Sequence, residues 1–98
     1  MNRYYTVRVN QAHKTWIARE SVLTDVPIYL IFENTLYPYY KENFTDPRIQ
    51  RISFSGEETT SLMLSMDFKK ILGLEAVEKN TSVTAIVDAV FKNYLDNH

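Results

Sequence analysis

The chain contains no cysteine, two glycines, three prolines and two histidines among 98 residues. The absence of cysteine excludes a disulfide framework and any thiolate metal site, and it fits a reducing compartment. With Gly56 and Gly73 as the only glycines, a glycine-rich loop cradling phosphate is excluded too. The longest apolar stretch, Ile28 to Phe32, falls far short of the roughly 20 residues a membrane helix needs, so no membrane partner is expected. Met1-Asn2-Arg3-Tyr4-Tyr5 lacks the apolar run of a secretory signal, and the expected location is cytoplasmic. His13 and His98 have no ligand spacing around them, and no nucleophile elbow or triad order appears. No metal, cofactor or enzymatic activity is expected.

Hydrophobic residues make up 45% and charged residues 23%, the balance of a folded soluble chain and not of a disordered or fibrous one. Arg3 to Asn10 alternates, with Tyr5, Val7 and Val9 on one face, which predicts a half-buried strand. Lys14 to Arg19 is predicted as a second strand, joined to the first through a hairpin at Asn10-Gln11-Ala12-His13. Asp25 is placed to cap a helix entered through Pro27 and running from Val26 to about Leu36. A buried strand over Ile28 to Phe32 is the competing assignment. Tyr37-Pro38-Tyr39-Tyr40 then predicts a loop, because proline lacks an amide donor and disfavours helical geometry before it. Asp46-Pro47 marks another break, Arg48 to Ser55 alternates again, and Ser55-Gly56-Glu57-Glu58 reads as a turn. No internal repeat is apparent in the residues.

From there the pattern changes. Ser61 to Met66 alternates as a short strand, with Leu62 and Leu64 inward and Ser61, Met63 and Ser65 outward. A helix is predicted from about Asp67, its N-cap, with Phe68, Ile71, Leu72, Glu75 and Ala76 along one stripe. A second helix is capped by Ser82 and carries Ile86, Val87, Val90, Phe91, Tyr94 and Leu95 on its apolar face, with Lys92 near its C-terminal end. A lone strand leaves its backbone groups unpaired, and pairing with the same strand of a second copy would satisfy them, so a homodimer is expected. The fold class is therefore α+β. Residues 1 to 56 form a β-rich aromatic and basic extension, and residues 57 to 98 a dimeric strand-helix-helix module.

The run Leu62-Met63-Leu64-Ser65-Met66-Asp67-Phe68, followed by Lys79 to Leu95, resembles the ribbon-helix-helix superfamily of repressors and antitoxins over about two fifths of the chain. The resemblance implies a ribbon lying in the major groove of double-stranded DNA, with Ser61, Met63 and Ser65 facing the bases. It also implies that the joint Asn80-Thr81-Ser82-Val83 presents backbone amides to a phosphate. Asn80 stands where glycine is usual, and asparagine tolerates the left-handed conformation. The implied function is a transcriptional regulator or a mobile-element accessory protein.

Charge is divided unevenly. Residues 1 to 56 carry seven basic against five acidic residues, and residues 57 to 98 four against seven. Extra DNA contacts are therefore sought in Arg3, Arg8, Lys14, Arg19, Arg48 and Arg51, because phosphate attraction rests on cations. The acidic second half favours another class of function, a small phage- or plasmid-type inhibitor or adaptor that imitates nucleic acid and binds protein. Its contact surface would come from the aromatic first half, with Tyr37, Tyr39 and Tyr40 as the leading residues.

Overall fold

The computed structural model describes residues 4–44, 49 and 58–98. Among them the chain forms a two-stranded antiparallel sheet covered by helices, an α+β architecture. Strand β1 is Tyr4–Asn10 and strand β2 is Thr59–Ser65, paired along their whole length from Tyr4 opposite Ser65 to Asn10 opposite Thr59. Val7, Val9, Leu62 and Leu64 point from both strands into one core, as their alternation predicts. The unpaired edge that called for a second copy is thus filled by β1 of the same chain. The far edge of β2 is engaged as well: Lys14 Nζ donates to the Ser61 carbonyl (2.6 Å), and the Ser65 amide donates to Glu33 (3.0 Å).

Helix α1, Gln11–Thr24, replaces the hairpin and second strand expected over residues 10 to 19. Asn10 Oδ1 accepts the Ala12 amide (2.8 Å) and caps the helix, so the polar joint that resembles a turn is a helix start. Asp25 does not cap a following helix. It closes α1 in the left-handed conformation (φ 57°), and Pro27 takes the N-cap position of α2, Ile28–Ile31. From Ile28 to Asn43 the backbone remains helical through a π-turn at Phe32–Leu36 and α3, Tyr37–Asn43. Here the Tyr37 amide reaches back five residues to the Phe32 carbonyl. The widened turn lets Pro38 enter helical backbone near the start of α3, where its missing amide removes no regular bond, and the expected break at residues 37 to 40 does not occur.

Helix α4, Met66–Glu78, starts one residue before the predicted start, with Ser65 at the N-cap position and Asp67 in the first turn instead. Ser65 sends its amide and its Oγ to the Glu33 carboxylate, so an acid from the first half satisfies the N-terminus of α4. Of the predicted stripe, Phe68, Leu72 and Ala76 are buried, Glu75 is buried with them, and Ile71 is exposed. Helix α5, Val83–Asp96, is capped by Ser82 Oγ as predicted, with Ile86, Val87, Val90 and Phe91 in the core. Phe32 and Phe91 pack ring to ring there (5.6 Å), joining the first half to the second in one buried cluster. Apart from Ile49, which packs partly buried against the core, the stretch from Arg48 to Ser55 lies outside the described residues, as do Asp46-Pro47, Arg3 and most of the predicted turn at 55 to 58.

The order of elements repeats. Strand, helix, left-handed residue and second helix occur at 4–10, 11–24, Asp25 and 28–43, and again at 59–65, 66–78, Asn80 and 83–96. A shift of 55 positions carries Val7 onto Leu62, and those two residues face one another in the sheet, so an approximate two-fold axis passes between them. Both strands have the same burial pattern, residue for residue. The second helices cross over, α5 packing on β1 and α2 on β2, so neither half would bury its apolar faces alone. Sequence identity at this spacing is limited to scattered pairs such as Lys14 with Lys69, Val22 with Val77 and Ile31 with Ile86, which is why no repeat is visible in the residues themselves.

Two predictions test this arrangement. Thr6 and Met63 face each other in a pair that exchanges no backbone hydrogen bonds, the geometry in which α-carbons approach most closely. Thr6→Cys with Met63→Cys is therefore expected to form a disulfide within one chain, read as a monomer on a non-reducing gel; a crosslinked dimer would contradict the intrachain ribbon. Gly73 lies in the middle of α4, and a Cβ there would meet nothing within 4 Å. Gly73→Ala is expected to stabilise the chain by about 0.5–1 kcal/mol in urea unfolding.

Candidate nucleic-acid interface

Alternation places Tyr4, Thr6 and Arg8 of β1 on the outer face of the sheet with Ser61, Met63 and Ser65 of β2. Thr6, Arg8, Ser61 and Met63 are exposed and form a compact square about the two-fold axis, Thr6 beside Met63 and Arg8 beside Ser61. Of the three expected readers, Ser61 and Met63 are available, whereas Ser65 is half-buried and held by Glu33. Tyr4 is half-buried, its ring edge-on to Tyr29 (5.2 Å). Sequence reasoning missed Thr6 on this face, as it missed Lys69 and the Thr84 amide. The place of Thr6 beside Met63 depends on pairing across more than fifty residues, and only the matching alternation of the two strands hints at it.

Cations frame this face. Lys14 and Lys69 occupy equivalent positions in the first turn or so of α1 and α4, and Lys14 reaches the ribbon backbone at Ser61. An ammonium has three donors, so that bond leaves Lys14 able to meet an anion. Arg19 is exposed farther along α1, and Arg3, Arg48 and Arg51 lie outside the described residues.

The joint before α5 has the left-handed residue expected at Asn80 but does not present all four of its amides outward. Asn80 adopts the left-handed conformation (φ 52°), its amide donates to Val77 and that of Thr81 to Ala76 (2.9 Å). Those two amides are consumed by the helix end, and Thr81 is buried. Ser82 Oγ takes the Ala85 amide, which leaves the first-turn amides of Val83 and Thr84 pointing out of the helix without a carbonyl partner. An anion is favoured there. At the position equivalent to Ser82 in the first half stands Pro27, which has no side-chain acceptor to cap α2, so the two helix starts differ in their capping.

The acidity of the second half is partly internal. Glu75, 3% exposed, accepts from Tyr40 Oη (2.8 Å) and Lys41 Nζ (2.8 Å), with Lys79 at 3.8 Å. Burial alone would push its carboxyl up, but the hydrogen bonds from Lys41 and Tyr40 and the charges of Lys41 and Lys79 outweigh this and hold it below the ordinary range. Asp88 is buried between Lys92 (3.0 Å) and His13 (3.7 Å), and the His13 ring lies flat on Phe91. His13 is thus part of a helix packing contact and not of a turn. Among the described residues no group of acidic, histidine or cysteine side chains could hold a metal ion.

The aromatic segment expected as a partner surface is largely core. Tyr37 and Tyr40 are buried, and Tyr39 is half-buried against Tyr94 and His98. Among the described residues no helix is long and apolar enough to cross a membrane. Comparison with protein-family models, with characterised proteins and with solved structures finds no match.

Proposed function

We propose that this chain binds double-stranded DNA as a single-chain ribbon-helix-helix protein, a transcriptional regulator or mobile-element accessory protein acting in the cytoplasm. The observation that carries the reading is the symmetric register of β1 and β2, which builds within one chain the two-stranded ribbon that the resemblance assigns to two copies. The major groove of B-DNA admits such a ribbon. Arg8 reads a guanine through its planar fork, Thr6 and Ser61 bond to base edges, and Met63 contacts a thymine methyl. Lys14, Lys69 and the amides of Val83 and Thr84 meet phosphates and fix the register.

Because the halves differ, the site they read is unequal. Arg8 in the first half corresponds to Met63 in the second, so guanine preference belongs to one half-site alone. With Lys14 and Lys69 as the cations that meet phosphates, log affinity is expected to fall against log salt with a slope of about −2. Titration of fluorescent duplex at several salt concentrations checks this. Absence of binding at low salt would remove the DNA reading and leave the protein-binding one, which the exposed apolar residues of α1 and α4 favour.

A further inference from the structure

Helix α4 turns an apolar face to solvent. Met66, Lys70, Leu74 and Val77 follow one another along a helical stripe, with Ile71 and Glu78 on its flank. Leu74 is 65% exposed, Val77 78% and Ile71 43%, although the opposite face of the helix holds Phe68, Leu72 and Ala76 in the core. A helix amphipathic in this sense needs one apolar face, and α4 has two. Lys70 and Glu78 frame the outer face, and neither takes part in an ion pair among the described residues. Glu78 stands at the C-terminal end of the helix, where the backbone dipole disfavours an anion, although its charge also favours the Lys41 ammonium.

We infer that this face binds the same face of a second copy, with the two α4 helices antiparallel about a two-fold axis at Leu74. The sequence of the face is self-complementary in that arrangement and in that direction. Leu74 meets Leu74 of the second copy. Ile71 and Val77 are each three residues from the axis on opposite sides, so each meets the other across it. Lys70 and Glu78 are each four residues away, so each cation meets an anion, twice per dimer. A parallel pairing would set Lys70 against Lys70 and Glu78 against Glu78, which like-charge repulsion opposes. An isologous contact of this kind closes on itself and gives a dimer of ribbons, not a filament. The inference does not rest on DNA binding, since the α4 face shares no residue with the ribbon or the α5 N-terminus.

Sedimentation of the full chain without DNA tests it. At about 100 µM the wild type is expected to be dimeric. Lys70→Glu alone and Glu78→Lys alone each create two like-charge contacts per dimer and are expected to weaken association about tenfold, while the double variant recovers the wild-type value. Leu74→Asp is expected to be monomeric with an unchanged circular dichroism spectrum. A monomeric wild type at that concentration, a double reversal no better than either single one, or a dimer that survives Leu74→Asp would each overturn the inference. The disulfide test of the ribbon and the DNA titration are unaffected by any of these results, so the two accounts fail separately.

Discussion

Arg8→Ala is expected to weaken binding to the preferred duplex roughly ten- to hundredfold and to relax specificity at one base pair. A bidentate guanidinium-guanine contact contributes about 1–3 kcal/mol of discrimination, and Arg8 is the only exposed guanidinium among the four outer residues at the centre of the ribbon. The size of the effect depends on chemistry more than charge. Arg8→Lys keeps the phosphate attraction but loses the planar fork, so it is expected to retain non-specific binding and lose the guanine preference. Met63→Ala on the opposite half is expected to change affinity less than threefold, because one methyl contact is lost and no charge. Met63→Arg should add the missing second fork and shift preference toward a palindromic site. Competition anisotropy against duplexes substituted at single positions measures all four variants. If Arg8→Ala and Met63→Ala have equal effects, the unequal readout proposed for the two halves is wrong.

The second large effect is on stability. Glu75→Ala is expected to destabilise the fold by about 2–3 kcal/mol, since Tyr40 Oη is left buried without an acceptor and Lys41 and Lys79 lose their counter-charge. The loss is kept toward the lower end of buried-pair values because Lys41 is about half exposed and partly solvated. Against a total of about 5–15 kcal/mol for a domain, this is a substantial fraction. The same carboxylate makes stability depend on pH. Its folded pKa lies below the ordinary value of 4.5, so its contribution is complete above that pH and is lost as the solution is acidified through and below it. Glu75→Gln keeps an acceptor for Tyr40 and abolishes this titration. Urea midpoints between pH 3 and pH 7 are expected to show a shallower acid decline for the glutamine variant than for the wild type, and parallel declines would contradict the role given to Glu75.

How much of this was legible in the sequence follows from how each element buries itself. Strand β1 and helix α5 each present one clean apolar face, Val7 with Val9 and Ile86 with Phe91, and their periods are unmistakable. Helix α1 was obscured because Ile17 is its only fully buried residue, and the aromatic and β-branched Trp16 and Ile17 resemble a strand between lysine and arginine. Helix α3 was hidden by Pro38, whose penalty is relieved by a π-turn that no local pattern announces. The partner of β2 was the most consequential omission. Single-strand patterning says that an edge must be covered but not by what, and the answer lay in β1, more than fifty residues away. The outward exposure of Ser61 and Met63, the left-handed turn at Asn80 and the Ser82 cap were legible because alternation and capping are local. Glu75 looked like a defect in an apolar stripe, since the Tyr40 and Lys41 that satisfy it are distant in sequence.

The central claim is that one chain presents its own β1 and β2 ribbon to the major groove, and amide chemical-shift mapping tests it most directly. Titrating labelled protein with a random-sequence duplex and then an enriched one is predicted to move Thr6, Arg8, Ser61 and Met63, together with Val83 and Thr84 at the start of α5. Shifts confined to α4 or α1, or none at low salt, would contradict it.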